Sequence, residues 1–570
     1  MLILISCVLS VCTVIMTSGP GAGAAAYAPG SVPAAAPAQS PNNVRYADRF
    51  PGGDAGAKIA ACIAALPATG GLVDARGFQG AQTISSTVTV SAPAKIIFGA
   101  ATFTSTAKPA FNIASNGVEL EGLPEQSTLT YGAVTLNNKP LVQIANNVSD
   151  VQIHGITFNG NALGPLIGIG TVGLGGASTN DRIRITNNRF TNNAGGYVYS
   201  YAVLGSGHMT NSSVSDNDFY TVLGGIWVLD LQEVEISRNR FTNVSTWNAI
   251  TTGNFDASYT SRDILIQDNR GSGMGRMAIE LWGNAGTCDN ATVSGNIFHG
   301  WTSVGGMGIS TVNCQHTIIE NNNLVFDEPG SRGCSYGVEI RNIVMVRGNH
   351  LTGWCVGIAI GSAAGSIIEG NEILDSVVMP GGGGGECCGA GILWEVPACP
   401  VSILGNTITD SQKHGIIVGR NFGCGTISNN VISRNIGYSG DATAIWNGIA
   451  LARPIGPSVI SGNKIIQGQA SPVPGFKFNG IRFYGADFTN LAKVEGNVIV
   501  NRAPSVIGTA FFVNLPGALK GVPFNSNQTQ HLDSVWNSNT EPLGESFGNS
   551  DVGSNKRTSP PGYFRKPSPR

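Results

Sequence analysis

Three glutamates and one arginine, Glu280, Glu339, Glu395 and Arg341, occupy matching places in a short phrase that the chain repeats. MAIELW, YGVEIR, AGILWE and HGIIVG are four of its copies. Each copy alternates strictly, so in AIELW the side chains of Ile279 and Leu281 point one way while Glu280 and Trp282 point the other. If the copies stack in register, their outward residues form two ladders. One runs through Trp227, Glu280 and Glu339, the other through Trp282, Arg341, Glu395 and Tyr484. Glu280 and Glu339 then stand two coils apart, about 10 Å between strands. Their carboxyl tips would approach the ~6.5–9.5 Å separation of an inverting glycosidase pair, one serving as protonated acid and the other as base toward water. In a lyase or epimerase, a base would instead take the proton beside a uronate carboxyl while Arg341 neutralises the enolate. Glu280, Glu339 and Arg341 are therefore the catalytic candidates. Trp227, Trp282, Glu395 and Tyr484 are the substrate-binding candidates, because aromatic rings pack on pyranose faces and carboxylates bond hydroxyls. The plainer alternatives are a face that only binds, or one that only meets solvent, since outward positions of any solenoid are polar. His414, just before a strand, reads as structural. No metal site is expected: Cys387-Cys388 with Cys399 matches no zinc spacing. Calcium would need a carboxylate cluster that the sequence does not display, and it stays a cofactor without a ligand set.

What must position these groups is a second recurring phrase. Twelve times between Asn188 and Asn497 an apolar-alternating run is followed by Asn and then by an apolar residue two places later, as in VEISRNRF, ATVSGNIF and SIIEGNEI. The spacing averages about 28 residues, within the range of solenoid repeats. A unit this short cannot bury its own apolar face, so copies must stack, with strands about 4.8 Å apart along the axis. Aligned Asn side chains can then bond one another and the corner backbone. Each repeat holds at least two short strands, and Gly and Asn mark the corners. The prediction is an all-β, single-stranded right-handed parallel β-helix over residues 47–505. A sandwich or propeller would show two-residue hairpin turns and blade motifs instead.

Composition agrees. Among 570 residues there are 78 Gly, 42% hydrophobic and 12% charged residues, which fits many corners around a large apolar interior. A net charge of −2 gives no field that favours nucleic acid or an anionic membrane. Residues 2–16 are apolar and precede a small-residue stretch, so 1–26 reads as a signal peptide, 27–46 as a linker, 506–548 as a C-terminal cap and 549–570 as a disordered tail. Secretion or a periplasmic location follows, with no membrane attachment after cleavage. Cys288 and Cys314 each stand eight residues before a repeat Asn, and Cys399 and Cys424 stand seven and six before theirs. Both pairs should meet on adjacent coils and form disulfides, and Cys62 is the candidate free thiol.

Residues 50–78 contain GGDAGAKIAACIAAL followed by VDARGF. Asp54 can cap a helix whose Ile59, Cys62, Ile63 and Leu66 share one face, and this helix would close the open end of the solenoid. Here the chain resembles the pectate-lyase-like superfamily of right-handed parallel β-helices, and more narrowly its rhamnogalacturonase/epimerase-type members. The Gly-Ile strands and Asn phrases are similar to that superfamily's coil repeat. The resemblance implies a polysaccharide partner and a glycoside hydrolase or polysaccharide lyase acting on pectin-like or other acidic glycans. A non-catalytic adhesin-like rod is the alternative. It carries over no catalytic residue: of the polygalacturonase signatures only Lys413-His414-Gly415 is present, as a fragment. The short tail offers no trimer module, so a monomer is expected rather than a tailspike-like trimer.

Overall fold

The computed structural model describes residues 43–551 except for short stretches, of which the longest are 133–138, 171–177, 194–200, 328–334, 378–388, 435–444, 469–475 and 537–545. The expected signal peptide, most of the linker, most of the tail, Cys334, Cys387, Cys388 and the Gly run before them lie outside the described residues. Among the described residues no helix is long and apolar enough to cross a membrane.

Every described strand pairing is parallel, and each strand pairs with its counterpart one coil before and one coil after. The chain is a right-handed parallel β-helix. Each full coil lays down three strands, one per face. Met277–Gly283, Thr287–Ser294 and Ile297–Trp301 form one such set. The alternating runs foresaw the first two faces. The third is the short strand opening just after each Asn, and its inward residue is the apolar one two places later, such as Phe241 or Phe298. Like stacks on like in the interior. Ile250, Ile279, Ile309, Val338, Ile358 and Ile392 are successive register partners on the first face and are fully buried. On the third face Phe158, Phe190, Phe219 and Phe241 stack ring on ring at 4.8–5.2 Å.

Two corners explain the two phrases. Between the second and third faces the Asn side chains form one continuous ladder. Asn322 is typical. Its Oδ1 accepts from the backbone N–H of Asn296 at 3.0 Å and from that residue's Nδ2 at 2.9 Å. Its own Nδ2 donates to Val293 O at 2.9 Å and to Asn349 Oδ1 at 2.9 Å. The ladder gains a further rung in Asn527, which accepts from Asn497. The residue before each ladder Asn has positive φ, which is why that place is written Gly, Asn or Asp. Arg238 is an exception at φ 52°, and its guanidinium bonds both oxygens of Asp216, which holds the same corner one coil earlier.

The other corner sets the Gly-Ile phrase. A Cβ on Gly357, Gly391, Gly415 or Gly448 would stand 2.3–2.4 Å from the Cγ2 of Ile373, Ile408, Ile432 or Ile465 on the third face. These glycines therefore face inward beside the inward Ile that follows them, and strict alternation breaks there. The residue before each Gly turns outward, adding a third outward column to the first face. Val356 and Ala390 accordingly pack with the outward Ala359 and Leu393, not with the interior.

At the N-terminal end, helix Ala55–Ala64 buries Ile59, Cys62 and Ile63. Asp54 caps it at 2.7 Å through Ala57 N–H, and its second oxygen accepts Ser85 N–H at 2.9 Å. Val44–Tyr46, at the end of the expected linker, pairs with Gly71–Ala75 and covers that strand's edge. Coil pairing also continues past residue 505: Ile507–Val513 pairs with Lys477–Phe483, and Ser550–Asp551 with Gln528–Gln530. The segment expected as a cap thus carries further coils, because Asn527 and Phe511 extend the interior stacks. Cys288–Cys314 and Cys399–Cys424 are disulfides between adjacent coils, with Cα separations of 4.3 and 4.7 Å. Cys355 is also disulfide-bonded, and Cys62 is a buried free thiol.

Replacing Asn322 by Leu strands two donors of Asn296 and the Val293 carbonyl. At about 1–3 kcal/mol per unsatisfied buried group, a stability loss of roughly 3 kcal/mol or more is expected, read as a lower urea midpoint or a shorter half-life on heating. Gly415→Ala forces a methyl group onto Ile432 and should cost about 1–3 kcal/mol by overpacking, measured in the same way.

Candidate carboxylate site on the first face

The outward residues of the first face align in register across the whole face. Trp227, Thr251, Glu280, Ser310, Glu339, Ala359, Leu393, Ile417, Ala450 and Arg482 are successive partners. Glu280 and Glu339 thus share one column, two rungs or about 10 Å apart along the axis. Ser310 stands between them and donates to Glu339 Oε2 at 2.8 Å. Arg341, on the same strand as Glu339, gives both Nε and Nη2 to Oε1 at 2.9 and 2.7 Å. Glu339 is only 6% exposed, so these three donors replace the water it has lost. Arg341, expected to neutralise an enolate, holds the buried carboxylate two residues away with Nε and Nη2.

Glu280 has a different setting. It is half-buried, and Oε2 accepts from Asn248 Nδ2 at 2.6 Å. Burial pushes its carboxyl above the usual carboxylate range and the charge of Glu339 pushes the same way, while Arg276 and the hydrogen bonds from Asn248 and Thr251 oppose. Glu395 lies two rungs beyond Arg341 in the neighbouring column. It is open to solvent on one side, yet the coils behind it strip part of its hydration. With the charge of Glu339 this raises its carboxyl too, and Arg341 opposes. Three carboxyls therefore interact along one face, with the most buried and most hydrogen-bonded of them, Glu339, in the middle.

The aromatic candidates divide. Trp227 and Tyr201 belong to one outward cluster on rungs N-terminal to Glu280, and Trp247 and Trp282, the latter on the strand of Glu280 itself, pack against it. Tyr201 stands 5.6 Å from the Trp227 ring and 6.4 Å from that of Trp247. Burial pushes the Tyr201 phenol up to about 12. Tyr484 is elsewhere. It lies five rungs past Arg341, roughly 24 Å along the axis, where the Arg482 guanidinium covers its ring at 4.2 Å and it packs beside Ile417 and Ala450. The first-face stacking that aligns the column also keeps Tyr484 away from the glutamates. His414 is 5% exposed, faces outward, and its Nδ1 pairs with Asn447 Nδ2 at 3.0 Å; burial lowers its pKa to about 3.

Tyr201, Asn248, Trp247 and Arg276 escaped the sequence reading. Asn248 belongs to the third outward column, which an alternating pattern assigns to the interior. Its signal was the offset: it stands two places before inward Ile250, as His414 stands two before Ile416. Among the described residues, the group close enough to share an ion is Glu119, Glu121 and His154 on early coils, not the three glutamates of the first face. The Lys95 ammonium bonds both of those glutamates, at 2.8 and 2.5 Å.

A raised carboxyl has a thermodynamic signature. The unfolded chain ionises Glu280 near the ordinary value, whereas the folded chain retains its proton to higher pH, so burial of this group costs stability only above that interval. Glu280→Gln should therefore raise the unfolding midpoint relative to wild type at pH 8 and leave it unchanged at pH 4. Equal differences at both pH values would contradict the assignment.

No protein-family profile matches this chain, and no curated protein matches it. Several solved structures do. The DFA-IIIase of Arthrobacter chlorophenolicus A6, solved with DFA-III, is 14% identical over 65% of this chain and 96% of its own, with a TM-score of 0.36. The tailspike protein of E. coli bacteriophage HK620, solved with a pentasaccharide, is 13% identical over 76% and 71%, with a TM-score of 0.35. The catalytic unit of a GH87 alpha-1,3-glucanase from Streptomyces thermodiastaticus strain HF3-3 is 12% identical over 92% and 71%, with a TM-score of 0.33.

Proposed function

We propose that this protein is a secreted or periplasmic enzyme that hydrolyses a polysaccharide, with Glu280 as general acid and Glu339 as the base that activates water. The observation that carries this reading is the unequal environment of two carboxyls in one column. Glu280 is desolvated, which pushes its carboxyl above the usual range, whereas Glu339 accepts three hydrogen bonds from Ser310 and Arg341. A carboxyl raised by burial beside one held by donors is the kind of pair that can divide acid and base roles. A separation of two rungs leaves room for a water between the carboxyls and favours inversion at the anomeric carbon. Hydrolysis is preferred to elimination because Arg341, the group that would stabilise an enolate, is committed to Glu339. Trp227, on the N-terminal side of Glu280, and Trp282, beside it on the same strand, would hold sugar rings. Arg276, exposed just before the strand of Glu280, is the nearby cation that makes uronate-containing, pectin-like glycans the first substrates to try. The disulfides between coils support an oxidising compartment.

Binding without turnover is the second reading, favoured by the aromatic cluster, which would grip a glycan whether or not chemistry follows. Incubation with a panel of acidic and neutral polysaccharides separates the two. New reducing ends without unsaturated uronate absorbance are expected, with inverted anomeric configuration in the first product seen by proton NMR. Glu280→Gln and Glu339→Gln should each lower the rate about 10²–10⁴-fold. Retained binding with no new reducing ends on any substrate would establish the binding rod instead.

A further inference from the structure

We infer that Asn248 is a positioning residue that decides which oxygen of Glu280 carries the transferable proton. The inference rests on the reading of Glu280 as an acid, and goes beyond it to the orientation of that acid. Asn248 is fully buried. Its Oδ1 accepts the backbone N–H of Met277 at 3.3 Å. A backbone N–H can only donate, so this bond fixes which end of the amide is oxygen. The other end, Nδ2, is then a donor only, and it gives one hydrogen to Thr251 Oγ1 at 2.8 Å and one to Glu280 Oε2 at 2.6 Å. Oε2 must therefore act as an acceptor. When Glu280 is neutral, Oε2 is its carbonyl oxygen and the proton resides on Oε1. Two adjacent coils cooperate in this: Asn248 precedes its strand by two residues, Glu280 sits on the next strand, and Thr251 pairs directly with Glu280 across the gap. The other charged or titratable groups facing Glu280 are Arg276 just before its own strand, Glu339 two rungs on, and Tyr201 from the N-terminal side, which hydrogen-bonds Thr251.

The test uses the whole protein and two readouts. Infrared difference spectra across the acid titration identify the carbonyl band of protonated Glu280 as the one missing in Glu280→Gln. In Asn248→Leu that carbonyl loses its donor and its band should move to higher wavenumber. On an accepted substrate, the alkaline limb of the pH–rate profile should move up by about one unit, because a bond favouring the ionised form is gone. Asn248→Asp keeps an acceptor for Met277 N–H but cannot donate when ionised, so it should shift band and limb in the same directions and guards against a folding defect in the Leu variant. A purely structural role would lower the rate or the unfolding midpoint while leaving band and limb in place, and that result in both variants overturns the inference. A Glu280→Gln protein with full activity overturns the acid reading instead, and leaves the band position to judge Asn248 by itself.

Discussion

The structure depends on a buried amide that can be satisfied only by its own copy one coil away. Each ladder Asn presents two donors and an acceptor to a dry corner, where unpaired polar atoms are costly. The next Asn supplies an acceptor for two of its hydrogens, and the preceding coil supplies a carbonyl for the third. Nothing but rung-on-rung alignment meets all of these demands together. A slip of one residue would strand the amide and would also turn the Ile and Phe stacks outward. Hydrophobic burial supplies most of the driving force, but it is tolerant of position; the ladder is what makes the register unique.

That register makes a chemical site on an outer surface feasible. Glu280, Ser310 and Glu339 are far apart in sequence and meet because their inward neighbours Ile279, Ile309 and Val338 stack. The surroundings of each carboxyl then follow from what its own and the adjoining rungs carry. Ser310 and Arg341 supply Glu339 with donors, whereas Glu280 has Asn248 as its donor and is raised by burial. Two identical side chains in one column acquire different surroundings without any departure from the regular scaffold.

Much of this is written plainly in the chain. The Asn phrase, the alternating strands, the order of both expected outward ladders, the two disulfides and the Asp54-capped helix can all be read from spacing, because each is a local pattern repeated with a fixed offset. What escaped has a physical cause in each case. The third face has strands of three to five residues, too short to show a period. The rung at Asn527 is followed by Thr529 where an apolar residue was expected, so its phrase went unrecognised. The third outward column, with Asn248, is hidden because a small inward residue, Gly in most copies and Ala249 here, stands next to an inward Ile and breaks alternation. Tyr484 is legible as a member of the Arg341 column, but membership of a column does not bring it beside the glutamates.

The repeat also quantises the geometry of the face. Two groups in one column can be separated only by whole multiples of the rung spacing, about 4.8 Å. Insertion or deletion of a complete coil between Glu280 and Glu339 would leave every corner and interior stack intact, yet change their separation by a full step. In a rod of this kind the spacing of two outward groups is a counting variable: it is altered by adding or removing turns, not by gradual adjustment of an angle or a loop.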